Sequence, residues 1–150
     1  MASRATDENV RAVTALAPGT DSLFARAALG LDIPLALVSP FAGYERDPNH
    51  GVHRDVLERV APTAAERIEL PFSSPSPRAH LAAMARVVRM SHVVLFVWNG
   101  SYNTGLAATE YAIRFACLLG RPWVHVDVAD LRVRWHGGGS GSPFAAEGSR

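Results

Sequence analysis

The sequence predicts an α/β protein, a three-layer sandwich in which helices cover both faces of a mostly parallel sheet. The first observation is the uninterrupted apolar run over 93–98, whose β-branched and aromatic residues are typical of a strand covered on both faces. The second is the pattern that follows it, with helical spacing over 110–119 and alternation over 123–128. Strand, helix and strand in this order predict a βαβ unit with parallel strands.

The other elements follow from apolar periodicity between turn residues. Short apolar or alternating runs predict strands, and apolar residues three or four positions apart predict helices. Strands are expected over 10–16, 33–38, 67–70, 92–98 and 123–128. Helices are expected over 22–29, 52–60, 78–90 and 110–119.

Glycine, proline and capping residues set the ends of these elements. Pro18 and Gly19 break the first strand, and Thr20 or Asp21 is expected to cap the first helix. Gly120 is expected to stop the last helix. The loop over 39–48 is rich in turn residues, and 71–77 is a loop with three prolines and three serines.

The composition predicts one domain in a reducing compartment. The chain has 150 residues, 48% of them hydrophobic, and its net charge of +1 gives no electrostatic reason to expect nucleic acid as a partner. The one cysteine, Cys117, excludes an internal disulfide and is predicted to be a buried helix residue. No apolar run approaches the ~20 residues that span a bilayer, and the N-terminus lacks a signal-peptide pattern, so we expect a cytoplasmic protein without membrane partners.

The predicted domain covers 10–130. Residues 1–9 are polar and are expected to be a flexible N-terminus. Residues 131–150 include a Gly/Ser-rich stretch and are expected to be a flexible tail.

A ligand site is expected where the carboxyl ends of the parallel strands meet. Loops and helix N-termini converge at that edge, and backbone N–H groups point outward there. The loops after residues 16, 38 and 97 are therefore expected to surround one cleft. The candidate binding residues are Gly19, Thr20, Asp21, Pro40, Tyr44, Trp98, Asn99, Gly100, Gly105 and Thr109.

Several of these residues also have a structural interpretation. Asp21 serves equally well as a helix cap, and Thr109 is expected to be an N-cap whether or not a ligand binds. Tyr44 and Trp98 are candidates for stacking on a base, although a tryptophan at a strand end also closes a core. His125 lies in a predicted strand and is interpreted as a hydrogen-bonded core residue.

No metal or cofactor is expected. His50 and His53 are spaced as a metal pair, but no third ligand follows at a usual distance. The sequence also lacks a Walker loop, a nucleophile elbow and a zinc pattern.

The chain is similar to a known superfamily in several stretches that occur in a matching order. These are APGTDSLFA at 17–25, IPL at 33–35, PF at 40–41 with Tyr44, IELP at 68–71, VWNG at 97–100 and LGRP at 119–122. Over roughly 10–128 they resemble the SLOG superfamily of Rossmann-like domains, which includes the DNA-processing protein DprA and the Lonely Guy phosphoribohydrolases. The likeness is strongest to uncharacterised bacterial members. It implies a Rossmann-like fold and binding of a nucleotide or nucleotide derivative.

The sequence departs from that pattern where the family holds phosphate and sugar. Ala107 and Ala108 replace two glycines, which places methyl groups where a backbone would approach a ligand. Glu110, the candidate catalytic residue, stands one position before the family's acidic residue, and one position turns a helical side chain by ~100°. Tyr111 occupies the acidic position instead.

The strand and phosphate loop that usually open the family's domain are not recognised ahead of residue 10. We expect that the reading frame is truncated or mis-started, that nucleotide chemistry has been lost, or that a partner supplies the strand. Three functions stay open: a nucleotide-binding SLOG-like module, acting as a ligand sensor; an N-glycosidase of the phosphoribohydrolase or deoxyribosyltransferase kind; and a degenerate interaction domain. A homodimer is left open as well.

Overall fold

The computed structural model describes residues 10–99 and 107–137. The chain divides into two compact units between Ala83 and Met84, and each unit combines helices with a three-stranded sheet. The predicted α/β class is therefore confirmed.

The first unit is a βαβαβ arrangement with an all-parallel sheet. Its elements are β1 (Ala12–Thr14), α1 (Thr20–Gly30), β2 (Leu35–Ser39), α2 (Arg54–Val60) and β3 (Glu66–Glu69). The strand order is β1-β2-β3. Val13 pairs with Ala36, and Val38 pairs with Ile68, so β2 is the central strand.

The burial of β2 fits its central place in the sheet, and a left-handed residue follows the short β1. Four consecutive β2 residues, 35–38, are at most 3% exposed, as expected for a strand covered on both faces. Of the strand predicted over 10–16, only Ala12–Thr14 is observed, and Leu16, with φ 53°, lies outside the β region. Around β2 lies an apolar core that includes Leu16, Ala25, Leu35, Leu37, Tyr44, Leu57 and Val60.

A short 3-10 turn at Tyr44–Arg46 follows β2, and a longer 3-10 segment at Pro48–His53 leads into α2. The Asp47 carboxylate caps the longer segment by accepting from the Asn49 backbone N–H at 2.9 Å. The helix predicted over 52–60 is therefore entered through a 3-10 segment and becomes α-helical at Arg54. A 14-residue helix, α3 (Pro77–Met90), spans the division between the units.

The second unit contains a mixed sheet. Its further elements are β4 (Val94–Trp98), α4 (Ala107–Leu118), β5 (Trp123–Asp127) and β6 (Val133–His136). β4 and β5 are parallel, with Phe96 opposite His125, so the pairing predicted from the apolar run is confirmed. Gly120 (φ 63°) ends α4 as predicted, because the Gly120 and Arg121 N–H groups donate to the carbonyls of residues 117 and 116.

The C-terminal tail was predicted to begin at residue 131, but Val133–His136 forms the strand β6. It pairs antiparallel with β5, with Val126 opposite Val133. The connecting turn is closed by Arg134, whose guanidinium contacts the carboxylates of Asp127 at 3.0 Å and Asp130 at 2.9 Å. The alternation of Val133 to His136 was the available signal for this strand.

Cys117 is exposed, not buried as predicted. The buried positions of α4 are Ala112 and Ala116, four residues apart. Because successive side chains of a helix point about 100° apart, the position after Ala116 turns away from the core.

Candidate functional site

The carboxyl edge of the β1-β2-β3 sheet begins with the turn between β1 and α1. Gly19 occupies the N-cap position of α1 with φ 96°, which a residue without a Cβ adopts easily. The predicted break is confirmed, but the predicted cap is wrong. Thr20 and Asp21 are the first two residues inside the helix, and no side chain caps its N-terminus.

Asp21 instead ties the first turn of α1 back to β1. Its Oδ2 accepts from the Thr14 hydroxyl at 2.7 Å and from the Ala17 backbone N–H at 3.2 Å. A carboxylate in the first turn also complements the helix dipole. Asp21 therefore holds the turn that leads from β1 into α1.

The buried His53 contacts the same turn at Leu16. His53 is 7% exposed, and its Nε2 lies 2.8 Å from the Leu16 carbonyl oxygen. Because a carbonyl only accepts, Nε2 carries a proton. Its Nδ1 lies 3.3 Å from the hydroxyl of Ser22, which is 8% exposed. The sequence suggests a role for His53 only as a candidate metal ligand, since nothing in it relates this histidine to residue 16.

Tyr44 also converges on Leu16. Its hydroxyl donates to the Leu16 carbonyl at 3.4 Å, and its ring contacts those of Phe41 and His50 at 5.4 and 4.6 Å between centroids. The ring is 3% exposed, so it packs in the core and does not offer a stacking face for a base. Burial, followed by the negative charges of Asp21 and Asp47, raises the pKa of Tyr44 to about 12.

The Tyr44 hydroxyl gives a pH-dependent prediction. Its pKa rises from 10.0 to about 12 on folding, so the folded state holds this proton more tightly than the unfolded chain. The free energy of unfolding should therefore fall as the pH rises from about 10 to 12, and Tyr44→Phe should abolish this part of the fall. Asp21→Asn should lower the pKa of Tyr44, measured by phenolate absorbance against the Tyr44→Phe variant. An unchanged pKa would contradict the electrostatic coupling.

A cleft of about 390 Å³ opens beside Tyr44, at the carboxyl ends of β2 and β3. It lies against the 3-10 turn at Tyr44–Arg46. Glu45 on that turn forms an ion pair with Arg67 on β3, which joins the two walls. The residues lining the cleft are Ser39, Gly43, Tyr44, Glu45, Arg46, Arg67, Ile68 and Glu69.

Among the described residues, Tyr44 is the only sequence-predicted binding residue that lines this cleft. Pro40 is fully buried beneath the edge, and Gly19, Thr20 and Asp21 lie at the start of α1. Trp98, Asn99 and Thr109 belong to the second unit, and Gly100 and Gly105 lie outside the described residues. Sequence reasoning missed Glu45, Arg67 and Glu69. The available signal was the pair of charged residues flanking Ile68 at the end of β3.

Trp98 is part of the core of the second unit. Its side chain is 7% exposed and stacks on His125 with 3.6 Å between ring centroids. His125 is 5% exposed, and its Nε2 lies 3.1 Å from the Trp98 carbonyl oxygen, which confirms the prediction of a hydrogen-bonded core histidine. The interpretation of Trp98 as a residue that closes the core is supported, and stacking on a base is not.

Glu110, the candidate catalytic residue, lies on the surface of α4. It pairs with Arg114 one helical turn later, with 2.7 Å between Oε1 and the guanidinium, and its side chain is 44% exposed. Thr109 was predicted to be an N-cap, but α4 begins at Ala107, so Thr109 lies inside the first turn. Both positions are those of ordinary first-turn residues.

We expect Glu110→Gln to lower the free energy of unfolding by about 0.5 kcal/mol, because exposed i,i+4 ion pairs contribute no more. We also expect no release of free base from nucleoside monophosphates by the native chain. Urea unfolding and chromatography of the nucleotide products measure the two effects. Base release that disappears in Glu110→Gln would put the N-glycosidase hypothesis first.

Comparisons with known proteins identify no family to which the chain belongs. No family model matches the sequence, and no curated protein matches it. The resemblance to the SLOG superfamily therefore stays a prediction.

None of the helices over 10–99 and 107–137 has both the length and the apolar character needed to cross a membrane. In the same ranges, no group of three or more His, Cys, Asp or Glu side chains is arranged to hold a metal ion.

Proposed function

We propose that the protein binds a nucleotide or a nucleotide derivative at the carboxyl edge of the β1-β2-β3 sheet. The observation that carries the proposal is the cleft at the ends of β2 and β3, which Tyr44 connects to the turn after β1. An all-parallel βαβαβ unit is one half of the dinucleotide-binding fold, and in such sheets ligands bind outside the carboxyl ends of the strands. The resemblance of the sequence to SLOG domains supports the same function.

The size of the cleft favours a small ligand. Its volume of about 390 Å³ lies near the lower end of the range of roughly 300–1,000 Å³ for small-molecule sites. A single nucleoside or mononucleotide matches this volume better than a dinucleotide. The proposal also includes a Rossmann-like, three-layer fold of SLOG type and a role as a cytoplasmic ligand sensor.

Calorimetric titration with purine and pyrimidine nucleosides and their monophosphates tests the proposal. We expect saturable heat from at least one of them. Glu69→Trp should abolish this heat, because an indole at the end of β3 fills the cleft, and tryptophan is well tolerated in strands. Glu66→Trp is the matched control, since Glu66 lies on the same strand but does not line the cleft. No heat at millimolar concentration would contradict the proposal.

One observation favours the interaction-domain hypothesis as a second candidate. Leu95 and Val133 lie on one face of the β4-β5-β6 sheet, with Val124 and Val126 between them in register. Leu95 is 42% exposed and Val133 is 60% exposed, so this apolar face is partly uncovered. Failure of every nucleoside and nucleotide to bind, together with concentration-dependent self-association in sedimentation, would favour this function.

A further inference from the structure

We propose that the cleft takes an uncharged cis-diol, the sugar of a ribonucleoside, and that it selects against the phosphorylated form. This inference rests on the proposed function and narrows the class of ligand. Three features of the first unit support it: the position of Asp21, the balance of charge in the cleft and the carboxylate of Glu69.

The Asp21 carboxylate accepts hydrogen bonds in the turn between β1 and α1. In parallel α/β folds, the N–H groups at the end of the first strand and the start of the following helix grip the phosphate. Here the Ala17 N–H already donates to the Asp21 carboxylate at 3.2 Å, and the Thr14 hydroxyl donates to it at 2.7 Å. The turn therefore carries its own anion, and a phosphate would meet a like charge there.

The cleft itself offers no excess of positive charge to attract a phosphate. Arg46 and Arg67 are balanced by Glu45 and Glu69, so the formal charge of the described lining residues is zero. Arg67 is already engaged in the ion pair with Glu45. Burial, followed by the negative charges of Asp21 and Asp47, raises the pKa of the neighbouring Tyr44 hydroxyl, so both carboxylates act on a group that lines the cleft.

The Glu69 carboxylate suits a ligand that donates hydrogen bonds. Glu69 is exposed at the carboxyl end of β3, opposite Ser39 on β2. An ionised carboxylate only accepts hydrogen bonds, and its two oxygens match the two adjacent hydroxyls of a ribose. An acidic side chain that accepts from the ribose 2′-hydroxyl is a known solution in nucleotide-binding sheets. A 2′-deoxy sugar would lose one of these two bonds.

Calorimetry with adenosine, cytidine, AMP, 2′-deoxyadenosine and free ribose tests the inference. We expect one of the two ribonucleosides, adenosine or cytidine, to bind. Adenosine is compared with AMP and 2′-deoxyadenosine, and cytidine with CMP and 2′-deoxycytidine. The ribonucleoside that binds should do so at least tenfold more tightly than its own monophosphate and its own 2′-deoxy form. Ribose binding as tight as that of the ribonucleoside would support the cis-diol and assign the site to a free sugar. Tighter binding of the monophosphate, or equal binding of the deoxynucleoside, would overturn the inference while leaving the proposed function intact. No binding by any of these compounds would overturn the inference, and no binding by any purine or pyrimidine nucleoside or monophosphate would overturn the proposed function as well.

Two variants separate the roles of the carboxylates. Asp21→Asn should reduce the preference for ribonucleoside over monophosphate several-fold, and Glu69→Gln should weaken the ribonucleoside and remove its advantage over the deoxynucleoside. Asp55→Asn is the control, because Asp55 is an exposed residue in the first turn of α2 and should change neither ratio. If Asp21→Asn fails to fold, the exposed Glu69 decides the result, and an unchanged preference in Glu69→Gln overturns the inference.

Discussion

Replacing Trp98 with alanine is expected to lower the free energy of unfolding by about 4 kcal/mol, the largest loss among the changes considered. The indole is 7% exposed, stacks on His125 and belongs to the core cluster that contains Val94, Phe96 and Ala116. Truncation removes its buried surface and leaves a cavity that the sheet fills only in part. Urea unfolding followed by circular dichroism measures the loss.

Two control variants test whether the loss of stability comes from the buried indole of Trp98. Trp98→Phe keeps an aromatic ring against His125 and should cost less than half as much. Leu95→Ala on the same strand should cost about 1 kcal/mol or less, because Leu95 is 42% exposed. A stable Trp98→Ala protein that has lost nucleoside binding would contradict the core interpretation and return Trp98 to the ligand site.

Replacing His53 with alanine is expected to cost about 3 kcal/mol, because it removes a buried ring and its hydrogen bonds to Leu16 and Ser22. Leu16 holds the left-handed turn after β1, so the loss should also loosen the start of α1. The change is measured by thermal and urea unfolding, together with hydrogen exchange of the amides of α1.

His50→Ala is the matched control for His53. His50 lies in the same 3-10 segment and donates to the Tyr44 carbonyl, but it is only half-buried. We expect a cost of about 1 kcal/mol, since this bond lies nearer to solvent. Equal losses for the two histidines would show that the bond to Leu16 does not stabilise the turn.

The fold could be predicted from the sequence wherever one local signal was strong. The apolar run that forms β4 indicated a buried parallel strand. Gly120 indicated a helix end, because glycine readily adopts the left-handed conformation that is found there. β6 was missed although its residues alternate, because its place is set by pairing with β5 and by the contacts of Arg134. Short strands depend on their partners more than on their own composition.

The candidate site was predicted less well, because long-range contacts create it. Tyr44 was found because it lies in a loop at the carboxyl edge, but its role is to bind the Leu16 carbonyl, 28 positions earlier. The ion pair of Glu45 and Arg67 spans 22 positions, and each residue alone is typical of a solvated surface. No periodicity in the sequence indicates which of the 15 basic and 14 acidic residues come together.

Amide chemical shifts test most directly whether a nucleotide derivative binds at the carboxyl ends of β2 and β3. The two-dimensional nitrogen–proton spectrum of the protein is recorded while adenosine is added. The largest shifts are expected at the cleft residues Gly43, Glu45, Arg67 and Glu69, and Glu69→Trp should remove them. Shifts confined to the first turn of α4 around Thr109 and Glu110, or no shifts at a saturating nucleoside concentration, would contradict the account.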